Sequence, residues 1–122
     1  MGYYANGGGQ LNIRQENFQN IIDACKEKFD WMGGCTNIEK VFDAWGFEVD
    51  FQDGNIFWAW YPEEKYSSTD DFFEAIAPYV DNNSMLDFTG EDGAMWRCSF
   101  KDGKFYESDG VVTYPGDPYE DN

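Results

Sequence analysis

The chain has 122 residues, 42% of them hydrophobic and 20% aromatic, and its 24 acids against 8 bases give a formal charge of −16. So much aromatic surface excludes a disordered acidic tail, and so much negative charge excludes direct binding to nucleic acid or to an anionic membrane. Histidine is absent, and Cys25, Cys35 and Cys98 show no CxxC spacing, which leaves no zinc set and no ordinary proton shuttle at neutral pH.

Leu11 and Ile13 alternate with Asn12 and Arg14, so residues 3–13 read as a first strand, interrupted by Gly7-Gly8-Gly9. No GK[ST] follows the glycines, which removes a phosphate loop. Phe18, Ile21, Ile22, Cys25 and Phe29 recur at helical spacing and predict a helix from about Glu16 to Trp31, with Cys25 as a core residue rather than a nucleophile. Gly33-Gly34 stops it. Thr36 with Glu39 reads as a capping box for a second helix with Ile38, Val41, Phe42 and Trp45 inward, and Gly46 as its C-terminal cap.

Phe47, Val49 and Phe51 alternate with Glu48, Asp50 and Gln52, a strand with one apolar and one acidic, solvated face. Asp53-Gly54 is a two-residue hairpin signal, and Ile56 to Tyr61 returns as a strand apolar on both faces, expected at the centre of the sheet and ended by Pro62. Ser67, Ser68 and Thr69 before Asp70 and Asp71 cap a third helix whose inner face is Phe73, Ile76, Ala77 and Val80. Three strands follow, 84–89, 94–100 and 104–107, with turns at Asp92-Gly93 and Asp102-Gly103. The order predicts one α+β domain over residues 1–110 and an acidic tail over 111–122. It reads as a ferredoxin-like split βαβ with an extra helix and a C-terminal β-hairpin extension, its mostly antiparallel sheet carrying helices on one face and leaving the other partly open.

Chemistry has little foothold. Glu63 with Glu64, Asp70 with Asp71 and Glu91 with Asp92 are the carboxylate pairs, and each sits at a turn or helix start where the backbone explains it. Residues 50–55 lack the calcium-loop spacing. The expectation is therefore no catalytic residue, no metal and no cofactor.

Charge position is more telling than total charge. Residues 1–42 sum to −1 and residues 93–108 to +1, whereas 43–92 hold thirteen acids and one base, Lys65. Clustering of this kind costs stability by self-repulsion, which points to a partner. Glu48 and Asp50 on the outer strand face, Glu63 and Glu64 after the hairpin, and Asp70, Asp71 and Glu74 at the third helix would imitate spaced phosphates if they share one side, with Tyr66 as an aromatic anchor beside them. Trp58, Trp60 and Tyr61 are nearby aromatic anchors, although core filling is the expected use of at least one tryptophan.

Residues 70–104, with Asp70-Asp71-Phe72-Phe73-Glu74-Ala75-Ile76-Ala77-Pro78-Tyr79-Val80, then Phe88-Thr89-Gly90-Glu91-Asp92-Gly93 and Trp96-Arg97, resemble small acidic proteins of phages and mobile elements of gut-type bacteria. In size, acidity and element order the chain is also similar to phage anti-CRISPR proteins and other DNA mimics. That resemblance implies a phage-type inhibitor in the cytoplasm of a bacterial host, monomeric or homodimeric, bound to the basic nucleic-acid groove of a CRISPR effector nuclease. A non-catalytic interaction module of a mobile element is the alternative, and a carboxylate enzyme the third. The N-terminus, with neither a basic start nor an apolar run, fits the cytoplasm.

Overall fold

A six-stranded antiparallel sheet and three α-helices make up the computed structural model, which describes residues 3–66 and 69–109. Strand β1 (Tyr3–Ile13) leads into α1 (Phe18–Lys28) and α2 (Ile38–Ala44). The pair β2 (Glu48–Gln52) and β3 (Asn55–Tyr66) precedes α3 (Thr69–Ile76), and β4 (Ser84–Gly90), β5 (Met95–Lys101) and β6 (Lys104–Asp109) close the described chain. In space the strands run β2-β3-β1-β4-β5-β6, every neighbouring pair antiparallel. The glycine-bearing β1 is thus central, although it comes first in sequence.

Alternation decides which face is covered. Leu11 and Ile13 of β1, Ile56, Ala59 and Tyr61 of β3, Leu86 and Phe88 of β4, and Cys98 and Phe100 of β5 are buried together with the inner residues of all three helices in one core. Each large side chain buried there contributes about 1.5–3 kcal/mol by leaving water. The core is dense in rings: Phe47 lies within 6.3 Å of Phe42, Tyr61, Phe72, Phe73 and Phe88, measured between ring centroids. Burial also pushes the Cys25 thiol up to about 11 and raises that of Cys98, so both stay protonated and inert at neutral pH.

Several local expectations hold. Gly46 takes φ +87° and closes α2, with the Phe47 N–H donating to the Phe42 carbonyl at 2.9 Å and its own N–H to Asp43 at 2.9 Å, a Schellman motif. A Cβ at Gly46 would also lie 2.9 Å from the Tyr61 ring, so the position needs glycine for space as well as for φ. Asp53-Gly54 and Asp102-Gly103 have both residues at positive φ, which is the type I′ turn that matches strand twist.

Others are corrected. The first helix is not continuous to Trp31: Phe29 is extended at φ −124°, ψ 103°, and a 3-10 turn Asp30–Met32 follows, burying Met32 and leaving Trp31 59% exposed. The cap of α2 is Asn37, whose side chain accepts from the Lys40 N–H at 2.9 Å, rather than Thr36. Asp92-Gly93 forms a wider loop, because only Gly93 has positive φ and Gly90 bonds across to Ala94. Pro62 does not end β3. It falls where Pro62 and Glu63 together oppose Asn6, between the pairs Ala5–Glu64 and Gly7–Tyr61, and a bulge tolerates a missing N–H. The expected cap at residues 67–68 and the acidic tail lie outside the described residues.

Candidate interaction face

The uncovered face of the sheet carries the most distinctive side chains. Register aligns Glu48, Trp60, Gly8, Asp87, Arg97 and Ser108 in one row across all six strands, and Asp50, Trp58, Gln10, Met85, Ser99 and Tyr106 in the next. Trp58 is 42% exposed and Trp60 53% exposed. Both therefore stand on the open face, which corrects the expectation that one of them fills the core. Tyr61 has the opposite fate: it is buried against Phe47 and is no surface anchor.

Gly8 explains how Trp60 can lie where it does. A Cβ there would come within 3.4 Å of the indole Cδ1 and 2.9 Å of the Ala59 carbonyl, so the ring leans across β1 over a position that has no side chain. Beyond the gap, Asp87 accepts from Arg97 at 2.7 and 3.2 Å, a two-pronged ion pair spanning β4 and β5. Solvent surrounds this pair, so it adds little stability; its use is to fix two opposite charges on the face. Met85 and Tyr106 add exposed apolar surface to the row of Trp58. Two exposed tryptophans at i and i+2, edged by carboxylates and one guanidinium, make an apolar patch with a charged rim.

The eight acidic and aromatic positions singled out from the sequence do not form one array. Glu48 and Asp50 sit on the open face, opposite Trp60 and Trp58 in register and about 6.7 Å apart along the strand. Asp70, Asp71 and Glu74 are exposed on α3, in the helical layer on the far side of the sheet, because Phe72, Phe73 and Ile76 turn the other side of that helix into the core. Glu63, Glu64 and Tyr66 belong to the part of β3 that runs beyond the end of β2, with Glu64 opposite Ala5 and Tyr66 opposite Tyr3 in backbone register; their side chains lie outside the described ones.

On the helical side a second group of acids forms across α3 and β6. Partial burial, then Glu74 and Asp71, pushes the Asp70 carboxyl up, and partial burial, then Asp70 and Asp109, does the same to Glu107. A raised carboxyl pKa means the folded chain holds that proton more tightly than the unfolded one. Its stabilising share is complete below the ordinary values, 3.8 for Asp70 and 4.5 for Glu107, and is lost as pH rises through the raised ones. Glu107→Gln is therefore expected to raise the melting temperature at about pH 7, the gain shrinking toward about pH 3. Thermal melts of both proteins at the two pH values check this, and a gain of equal size at both would refute the repulsion.

Among the described residues no group of three or more Cys, Asp or Glu side chains gathers as a metal site, and no described helix is long and apolar enough to cross a membrane. No protein-family model, curated protein or solved structure matches the chain.

Proposed function

We propose that the protein is a non-catalytic binding module that docks its open sheet face on a basic surface of a partner protein. Such a surface ordinarily holds nucleic acid, and the target to be tested is a CRISPR effector nuclease, in keeping with a phage-type inhibitor. The single observation behind this reading is the combination on one face of Trp58 and Trp60, both solvent-facing, with Glu48 and Asp50 beside them on the edge strand. Apolar anchors supply affinity while the carboxylates and the net charge of −16 steer a basic partner in. We also read the β2-β3-β1-β4 portion, with its helical crossovers, as a ferredoxin-like split βαβ to which β5 and β6 add a hairpin. That reading would leave one sheet face free by construction.

Capture of purified CRISPR effector nucleases on the immobilised protein, at low and at high salt, tests the proposal. Trp60→Ala is expected to weaken capture about 30-fold, the equivalent of a 2 kcal/mol hot spot. Glu48→Lys with Asp50→Lys should slow association and flatten its salt dependence. Capture that ignores both changes, or no capture by any nuclease, defeats the reading.

A further inference from the structure

A cleft of about 820 Å³ opens at the end of the sheet where the β2–β3 turn, the end of β1 and the loop before β4 converge. Its lining has an unusual composition. Seven of its fourteen residues are Asn or Gln, out of thirteen in the whole chain, so more than half of the protein's carboxamides are gathered at one place. Turn chemistry accounts for Asn83, at φ 72°, but not for Gln10 and Asn12, which stand within a strand, where Asn is disfavoured. A local preference broken without a structural return is a mark of a functional position.

The cleft is also held in shape. The Asn12 N–H donates to Ser84 Oγ at 2.9 Å, the buried Ser84 hydroxyl donates to the Asp81 carbonyl at 2.8 Å, and the Asp81 N–H returns to the Asn12 carbonyl at 2.8 Å. On the other wall the Gln15 N–H donates to Asn55 Oδ1 at 2.8 Å. Such closed local bonding fixes the backbone from which the amides project, so little ordering remains to be done on binding. Among the described residues the side chains of Gln10, Asn12, Gln52 and Asn83 take no intramolecular hydrogen bond, which leaves their donors and acceptors for a ligand.

Charge narrows the class of ligand. The cleft's one base, Arg14, lies 3.4 Å from Asp81 and 3.9 Å from Glu16, so no unopposed cation waits for a phosphate or carboxylate. A carboxamide offers a donor and an acceptor side by side, the complement of a hydroxyl, which is also both. Phe57, part-exposed at the same cleft, supplies an apolar surface next to them. We propose that this cleft binds a neutral polyhydroxylated ligand, one or two pyranose units of a glycan, with the carboxamides on its hydroxyls and Phe57 against its C–H face. The cleft meets the open face at Gln10, opposite Trp58, but includes neither tryptophan nor Glu48 nor Asp50, and it stands whether or not the protein-docking reading does.

Side-chain NH₂ resonances report on it directly. Maltotriose, cellotriose and triacetylchitotriose, titrated singly into the isotope-labelled full chain, are expected to yield saturable shifts in the Asn and Gln amide pairs for at least one sugar. The indole of Trp60, one row farther from the cleft than the Trp58–Gln10 pair, should stay unmoved. Gln10→Ala with Gln52→Ala, both exposed and neutral to stability, should weaken that binding about tenfold, the loss of two neutral hydrogen bonds. Inorganic phosphate and an oligoarginine peptide serve as the anionic and cationic probes. No saturable shift with any of the three sugars overturns the proposal, as does a double variant that binds unchanged, or amide shifts produced by phosphate or the peptide in place of a sugar.

Discussion

Phe73→Ala is expected to remove most or all of the protein's stability. The ring is fully buried and stands 5.3 to 6.3 Å, centroid to centroid, from Phe47, Phe72, Phe88, Phe100 and Phe105, so one side chain joins α3 to β4, β5, β6 and the segment entering β2. Truncation costs the transfer energy of the ring plus a cavity that its rigid aromatic neighbours fill poorly, about 3–5 kcal/mol in all. A domain of this size has about 5–15 kcal/mol to lose. Denaturant titration followed by tryptophan fluorescence should show the midpoint collapse with Phe73→Ala and a milder drop with Phe73→Leu, which refills much of the volume. A midpoint within error of the wild type in the alanine variant would mean that the aromatic cluster does not hold the two layers together.

Local chemistry was what the sequence made legible. Type I′ turns at Asp53-Gly54 and Asp102-Gly103 need only their own residues, and Gly46 ends α2 for the same reason. Facing was harder. Trp58 and Trp60, two apart on one strand, must share a face, but a tryptophan does not announce whether helices will cover it; coverage depends on which side of the sheet the crossovers run. The continuation of β3 through Pro62 depends on a bulge opposite Asn6 that belongs to another strand. If helices cover one face and Glu48 and Asp50 stand on the solvated one, the acids of α3 must lie on the other side, so a single eight-residue array is incompatible with the fold class expected for it. The carboxamide cleft had a faint signal in Gln10 and Asn12, polar residues in a strand, while Gln52, Asp81 and Asn83 join it only through tertiary structure.

The glycines of β1 tie that sheet geometry to its open face, and Gly9→Ala is the substitution that tests the link. A Cβ at Gly9 would lie 2.2 Å from the Met85 carbonyl oxygen, and one at Gly7 would lie 2.4 Å from that of Asp87 and 2.6 Å from the Phe88 ring. Backbone cannot rotate aside as a side chain can. Relief requires β1 and β4 to part by about 1 Å in the middle of the sheet, at about 3 kcal/mol, the upper range for overpacking. Gly34→Ala is the matched control: nothing lies within 4 Å of its Cβ, so its effect should stay within about 0.5 kcal/mol. Where Gly9→Ala still folds, the shift falls between Trp60 on β3 and the Asp87–Arg97 pair on β4 and β5, and it should weaken partner capture without touching any contacting side chain. Equal stabilities of the two alanine variants would show that the close approach of β1 to β4 is not needed. A destabilised variant that captures its partner as well as the wild type would show instead that the tryptophans act without the register that sets them beside the ion pair.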